Sequence, residues 1–102
     1  MKKGQDITTK LAPIHPGEIL NEEFLLPLGL SARALARAIK VPANRVSRLV
    51  AGDSAITPDT AMRLARAFRT TPEFWLNLQL RFDLLSAEDA AVPMDDIEPL
   101  VA

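Results

Sequence analysis

The chain has 102 residues, enough for one domain, and its 48% hydrophobic and 25% charged content is typical of ordinary globular proteins. It contains no cysteine and one histidine, His15, which excludes disulfides and thiolate metal sites and leaves little basis for acid–base catalysis. No apolar run approaches the roughly 20 residues that span a bilayer, and the polar N-terminus lacks the apolar stretch of a secretory signal. We therefore expect a small cytoplasmic protein that is not an enzyme, inserts in no membrane, and needs neither cofactor nor metal.

Charge is distributed unevenly along the chain, although the net charge is only −1. Residues 1–82 carry all 12 Lys and Arg with 7 Asp and Glu, whereas residues 83–102 carry 6 acids and no base. The segment 31–52 has no acid and five bases: Arg33, Arg37, Lys40, Arg45 and Arg48. This asymmetry indicates a basic binding surface followed by an acidic tail. The charge distribution alone does not exclude the alternative that the basic side chains form the solvent-exposed faces of their helices and bind nothing.

A first helix is predicted over residues 17–26. A polar arm, 1–12, and a stiff lead-in, 13–16, precede it, and its apolar residues recur at the i, i+4 spacing of a helical inner face. Pro27 and Gly29 are expected to end it, because proline interrupts a helix and glycine readily adopts the left-handed conformation that follows one.

The second and third predicted helices are separated by a very short connection. Ser31 is a good N-cap for the second helix, and Pro42 and Gly52 mark the two ends of the third. About three residues, 39–41, join them, so the helices must cross steeply and the third must project from the surface, as in a helix-turn-helix. Small Ala36 lies where we expect the two backbones to approach.

Two further helix starts share one pattern. Thr57-Pro58-Asp59 and Thr71-Pro72-Glu73 each supply an N-cap hydroxyl, a proline at the first helical position and a carboxylate in the first turn. They predict a fourth helix to about residue 68 and a fifth to about residue 88. The chain is therefore predicted to be all-α, with a compact five-helix domain over 13–85 and an acidic tail over 86–102.

The third helix carries residues suited to contacting DNA. Once the apolar residues of the second and third helices are assigned to a shared core, four side chains remain on the outer face: Ala43, Asn44, Ser47 and Arg48. An α-helix fits the major groove, where asparagine pairs with adenine and arginine with guanine. Nearby basic side chains can hold phosphates and make binding salt-dependent: Arg33, Arg37, Lys40 and Arg45.

Several segments together resemble one family. They are PIHPGEIL, EEFLLPLGLS, VPANRVSRLVAG, ITPDTAMRLARAF and TPEFWLNLQ, and they cover about residues 13–84. They resemble the lambda-repressor-like, Xre-type helix-turn-helix family, and more narrowly the HigA-type antitoxins of bacterial toxin–antitoxin modules. The resemblance implies a dimeric repressor of its own operon that binds operator DNA at the nucleoid and silences a RelE-like mRNA-cleaving toxin. It also implies base-reading positions at Ala43, Asn44, Ser47 and Arg48, and positions near phosphates at Ala32 and Arg45.

Two residues depart from the pattern of this family. Lys40 occupies a turn position that usually holds glycine, so we expect a positive φ there, at a cost of roughly 1 kcal/mol. Ala32 stands where many relatives have a polar residue that reaches a phosphate. The first departure weakens the predicted turn slightly, and the second puts that phosphate contact in doubt.

Other residues with chemical potential have simpler structural interpretations. His15 fits a structural residue before the first helix better than a metal ligand or a base. Asp53 and Asp59 fit a loop charge and a first-turn helix charge better than catalytic carboxylates. Trp75 fits core or interface packing better than stacking on a nucleobase.

The predicted fifth helix has two apolar faces. At about 100° per residue, one face contains Phe74, Trp75, Leu78, Phe82 and Leu85. Polar positions, among them Gln79, separate it from a second face: Leu76, Leu80 and Leu84. A helix at the edge of a small domain needs one face for its own core, so the second predicts a homodimer interface. The alternative is a core that wraps further around the helix.

The leading hypothesis is a DNA-binding antitoxin that acts as a dimer on an inverted-repeat operator. An alternative in the same class is a stand-alone Xre-type repressor without a toxin partner. A small hydrolase is disfavoured, because no nucleophile–base motif is present. The acidic tail is either solvated or docks the basic surface of an RNA-binding toxin.

Overall fold

The computed structural model describes residues 12–90 and 93–102, and within these ranges it contains five helices and no strand. Helix α1 consists of an α-helical turn, Pro16–Ile19, a π-helical segment, Leu20–Leu25, and a last turn, Leu26–Leu28. It is followed by α2, Ala32–Ile39, α3, Ala43–Val50, α4, Pro58–Phe68, and α5, Pro72–Asp89. The predicted all-α, five-helix fold is confirmed. Apart from Ala12, the predicted N-terminal arm lies outside the described residues.

Side-chain caps define the starts of four helices. The Ser31 hydroxyl accepts a hydrogen bond from the N–H three residues further on at 3.0 Å, and those of Thr57 and Thr71 do the same at 3.3 and 3.1 Å. His15 caps α1, because its Nδ1 accepts from the Gly17 N–H at 2.8 Å. Each serine or threonine cap contributes about 1 kcal/mol to helix stability. The structural interpretation of His15 is confirmed.

Helix α1 is longer than predicted, because it continues through Pro27. The Leu26 N–H donates to the Asn21 carbonyl, five residues back, so the chain is wound in wider π-helical turns just before the proline. In a regular α-helix the proline ring clashes with the carbonyl four residues back, and the wider winding relieves that contact. The prediction that Pro27 ends the helix is wrong. Gly29, in the left-handed conformation at φ 62°, ends it.

The core lies where all five helices meet. Helix α2 packs mainly on α3, α4 packs on α5, and α1 contacts both α3 and α5. Trp75 is fully buried, its Nε1 donates to the Thr70 hydroxyl at 2.8 Å, and its ring centroid lies 5.1 Å from that of Phe24. Each fully buried leucine adds roughly 1.5–3 kcal/mol, and four belong to the same core cluster as this tryptophan: Leu20, Leu35, Leu49 and Leu64. Trp75 is thus a packing residue, as predicted.

Helices α1 and α3 approach very closely at Gly17. A Cβ at this position would lie 2.7 Å from the Leu49 carbonyl carbon and nearer still to its oxygen. Any side chain here would therefore push the two backbones apart. The close approach fixes α3 against α1 on the side opposite to its exposed face.

Gln79 is buried, contrary to its predicted role as a polar separator on α5. The side chain is 7% exposed, and its Oε1 accepts from the Ile56 N–H at 2.7 Å. Its Nε2 donates to the Asp83 carboxylate at 2.9 Å. The amide therefore satisfies a backbone donor in the segment before α4, which explains why a polar residue is buried here.

The two apolar faces of α5 are less separate than predicted, because the core wraps further around the helix. Trp75 is fully buried, whereas Phe74, placed on the same inner face, is 38% exposed. On the other face, Leu76 is half-buried and packs against the core. Leu80 and Leu84 are 55% and 56% exposed. The face available to a partner therefore centres on these last two leucines.

The part of the acidic tail that the structure describes, 93–102, is exposed throughout. Its apolar side chains are 60–98% exposed: Met94, Ile97, Leu100 and Val101. None of the helices in the described ranges is long and apolar enough to cross a bilayer.

Candidate nucleic-acid interface

The turn between α2 and α3 is three residues long, 40–42, one residue later than predicted. Lys40 adopts the left-handed conformation at φ 63° and ψ 48°, which confirms the expectation of a positive φ. The Lys40 N–H donates to the Arg37 carbonyl at 3.3 Å and the Val41 N–H to the Ala36 carbonyl at 3.0 Å. This is the Schellman pattern of helix endings. The chain is thereby turned sharply into α3.

Helix α3 is closed at its far end by the same type of hydrogen bonding. Gly52 is left-handed at φ 83°, and its N–H donates to the Leu49 carbonyl at 3.0 Å. The Asp53 N–H donates to the Arg48 carbonyl at 2.8 Å. The prediction that Gly52 closes this helix is confirmed. Asp53 lies in the loop that follows, as interpreted from the sequence.

The four predicted base-reading residues all lie on the exposed side of α3: Ala43, Asn44, Ser47 and Arg48. Val46 and Leu49, on the opposite side, are 2% and 1% exposed and anchor the helix in the core. The Ser47 hydroxyl donates to the Asn44 carbonyl at 3.3 Å, which orients it along the helix. Within the described residues, the side chains of Asn44 and Arg48 form no hydrogen bond or ion pair. Both are free to contact a ligand.

The predicted phosphate-contacting cations are all exposed, two on α2, one in the turn and one on α3: Arg33, Arg37, Lys40 and Arg45. Ala32 differs from them, because its side chain is half-buried against the core and has no polar atom. Its backbone N–H, in the first turn of α2, is the group left to meet a phosphate at that position.

One ion-pair network joins α3, α4 and the turn. The Asp59 Oδ2 accepts hydrogen bonds from Arg45 Nη1 at 3.0 Å and from Arg63 Nε at 2.9 Å. Arg63 Nη1 donates to the Ile39 carbonyl at 2.7 Å and lies 3.4 Å from the Lys40 carbonyl oxygen. The network, defined as Arg45, Asp59 and Arg63, therefore fixes α3 relative to the end of α2.

Arg63 is absent from the residues predicted from sequence. Its i, i+4 spacing from Asp59 is a local signal for an ion pair on one helix. Its bond to the Ile39 carbonyl spans 24 residues of sequence and has no local signal. The contact forms because the fold places α4 beside the turn.

Electrostatics keep the Asp59 carboxyl ionised. Its pKa lies below the ordinary value, chiefly because Arg63 donates a hydrogen bond to it, while partial desolvation acts in the opposite direction. The positive charge of Arg63, and then the hydrogen bond and charge of Arg45, lower the pKa further. At neutral pH, Arg45 therefore has a charged partner. Because the three side chains are 38–58% exposed, the network adds little to the free energy of unfolding.

The arrangement of α2, the left-handed turn and the exposed face of α3 defines a helix-turn-helix protein. The helix-turn-helix family matches residues 22–75, and the chain belongs to this family. Such proteins are DNA-binding regulators and not enzymes. Among the described residues, no cluster of histidines and acids is arranged to hold a metal ion.

Similar proteins identify the branch of the family. Virulence-associated protein I of Dichelobacter nodosus is 46% identical over 91 residues, which are 89% of this chain and 84% of that protein. Antitoxin HigA-1 of Vibrio cholerae is 47% identical over 76 residues, 74% of this chain and 71% of that protein. The solved structure of Pseudomonas aeruginosa antitoxin HigA with the higBA promoter has a TM-score of 0.82 and 46% identity, covering 87% of this chain and 99% of that one. The resemblance to HigA-type antitoxins is confirmed.

Proposed function

We propose that this protein is a DNA-binding antitoxin that represses its own operon as a dimer and neutralises a RelE-like toxin by direct binding. The observation that carries the proposal is the exposed face of α3, with free Asn44 and Arg48 side chains and with exposed cations on α2, the turn and α3. A similar HigA, at 46% identity, was solved with its promoter. We expect the protein to act in the bacterial cytoplasm, at the nucleoid.

The proposed DNA-binding surface of α2, the turn and α3 divides into base-reading and phosphate-contacting groups. Asn44 and Arg48 present an amide and a guanidinium, which can each pair bidentately with a base edge in the major groove. Ala43 and Ser47 complete the same face with small side chains that allow close approach. The exposed cations bind phosphates, which sets the register of the helix without specifying sequence: Arg33, Arg37, Lys40 and Arg45.

Helix α5 supplies the dimer contact in this proposal. Leu80 and Leu84 are more than half exposed, and they lie beside half-buried Leu76 on one side of the helix. Two copies can pair these leucines across a two-fold axis in an isologous interface. The two α3 helices would then contact half-sites about one helical turn, ~34 Å, apart on an inverted repeat.

The exposed tail supports direct toxin binding. Residues 93–102 combine three acids, Asp95, Asp96 and Glu98, with apolar side chains that no described part of the chain covers. A toxin that cleaves mRNA must present a basic surface to its substrate. An acidic and apolar segment complements such a surface in charge.

Two measurements test the proposal. DNase protection on the segment upstream of the gene should show one protected inverted repeat, and Arg48→Ala should abolish it at concentrations where the wild type protects. Co-expression with the product of the neighbouring gene should give a complex that survives purification. Protection without co-purification would favour a stand-alone repressor, and absence of protection on any upstream fragment would contradict the DNA-binding role.

A further inference from the structure

Arg45 differs from the other predicted phosphate-contacting side chains. Within the described residues it has an ion-pair partner, Asp59 at 3.0 Å, whereas Arg33, Arg37 and Lys40 have none. Asp59 comes from α4, so a residue outside the helix-turn-helix pairs with a cation on the proposed DNA-binding surface. The proposed DNA contact gives no reason for this carboxylate to lie there.

We propose that Asp59 is a specificity-determining residue of the DNA-binding surface and acts through Arg45. The inference rests on the proposed DNA-binding function and deepens it. Asp59 holds the Arg45 guanidinium in one orientation and offsets its positive charge. Arg45 therefore contributes a well-placed phosphate contact on the operator and a weakened attraction to DNA of any other sequence.

Three contacts connect Asp59 to the neighbouring elements. Its Oδ2 accepts from two arginines on different helices, at 2.9 and 3.0 Å. The second of these, Arg63, is itself bonded to the Ile39 carbonyl at the end of α2. The position of Arg45 Nη1 is thereby tied to both α2 and α4. Its remaining N–H groups keep their capacity to donate to a phosphate.

The charge of Asp59 acts differently on specific and non-specific DNA. Non-specific binding depends almost entirely on the number of phosphates that the cations neutralise, with a salt slope of about −0.9 per phosphate. A carboxylate beside Arg45 reduces that number. On the operator, where α3 is seated in the groove, the fixed orientation of Arg45 compensates for the reduced attraction. Asp59 therefore lowers non-specific affinity more than operator affinity.

Asp59→Asn tests this inference, because asparagine keeps the shape and removes the charge. On scrambled DNA, the magnitude of the salt slope should rise by up to about 0.9, and affinity at 0.1 M salt should rise about two- to eightfold. Operator affinity should change less, so the ratio of operator to scrambled affinity should fall by a similar factor. Circular dichroism and thermal unfolding establish that the variant is folded.

Glu73→Gln is the matched control. Glu73 occupies the equivalent position of the second Thr-Pro-acid helix start, on α5, and has no ion-pair partner among the described residues. Its substitution removes the same charge, so a general effect of net charge would change the ratio equally. We expect Glu73→Gln to leave the specificity ratio at its wild-type value.

A double-mutant cycle separates action through Arg45 from a structural effect. In an Arg45→Ala background, Asp59→Asn should no longer change the specificity ratio, because the residue through which it acts is absent. An unchanged ratio in the single variant, or an equal effect in both backgrounds, would overturn the inference. Absence of any operator preference in the wild type would instead refute the proposed function.

Discussion

Replacing Leu80 with glutamate tests whether α5 forms the dimer interface. Leu80 and Leu84 are 55% and 56% exposed in the single chain, so burying the exposed half of each is worth about 1 kcal/mol. Two copies contribute four such side chains, or about 4 kcal/mol, which is roughly a thousandfold in the dimerisation constant. Leu80→Glu removes half of this gain and places two carboxylates in an apolar contact, at a cost of several kcal/mol. We expect a folded monomer.

Light scattering measures the oligomeric state of the variant, circular dichroism its helical content, and gel shifts its affinity for the inverted repeat. The monomeric variant should keep the wild-type helical spectrum, and it should lose about 100-fold in operator affinity, because the two half-sites are no longer linked. Leu28→Glu is the matched control: Leu28 is 63% exposed at the end of α1, and this variant should remain dimeric. Leu76→Glu should instead lower stability, because Leu76 packs against the core.

Three results would contradict the reasoning. If Leu80→Glu stays dimeric at micromolar concentration, the interface lies elsewhere. If it is monomeric but binds the inverted repeat with wild-type affinity, dimerisation through α5 does not support operator binding. Unfolding of Leu80→Glu would show that this side chain belongs to the core, in spite of its exposure.

Four further substitutions have distinct expected outcomes. Arg48→Ala should cost about 1–3 kcal/mol on the operator and relax base preference at one position in each half-site. Arg33→Ala should weaken binding to all sequences and flatten the salt slope by about 0.9; isotherms on operator and scrambled DNA at several salt concentrations measure both effects. Gly17→Ala should destabilise the fold by about 3 kcal/mol or more in urea unfolding, because its Cβ would overlap a carbonyl of α3. Gln79→Leu should lower stability by about 1–3 kcal/mol in the same assay, since it leaves the buried Ile56 N–H without an acceptor.

Each of these expectations has a contrary outcome. Equal losses on operator and scrambled DNA would remove Arg48 from the base-reading set, and an unchanged salt slope would remove Arg33 from the phosphate contacts. Wild-type stability of Gly17→Ala would show that α1 and α3 can separate at little cost. Wild-type stability of Gln79→Leu would show that the Ile56 N–H finds another partner.

The helix boundaries are predictable because their signals are local. Ser31, Thr57 and Thr71 each cap a helix through a backbone N–H three residues away, so the sequence neighbourhood contains both partners. The same holds for Gly52, where the left-handed conformation that ends α3 suits glycine. The exposed face of α3 follows from helical periodicity once these ends are known.

Contacts between distant segments were not predictable from pattern. Gln79 is polar and lies between apolar positions. Its side chain is buried because it accepts a hydrogen bond from the Ile56 N–H, 23 residues earlier. Arg63 reaches a carbonyl at the end of α2, which requires the placement of α4. Pro27 continues a helix because of the wider winding of the preceding turns, which no residue type in the segment signals. The first two depend on hydrogen bonds to partners more than 20 residues away, and the third on a local change of helix type.

If Lys40 contacts a phosphate as proposed, its left-handed conformation makes thermal stability and DNA affinity opposing properties of one residue. Glycine at this position would relieve about 1 kcal/mol of backbone strain. It would also remove a cation from the proposed set of phosphate contacts and weaken binding to DNA. Selection of variants for heat resistance would therefore enrich glycine at position 40 while lowering DNA affinity, and selection for tight DNA binding would retain lysine. Lysine at this position, where related proteins usually have glycine, thus lowers the stability of the fold and, in the proposed function, raises the affinity for DNA.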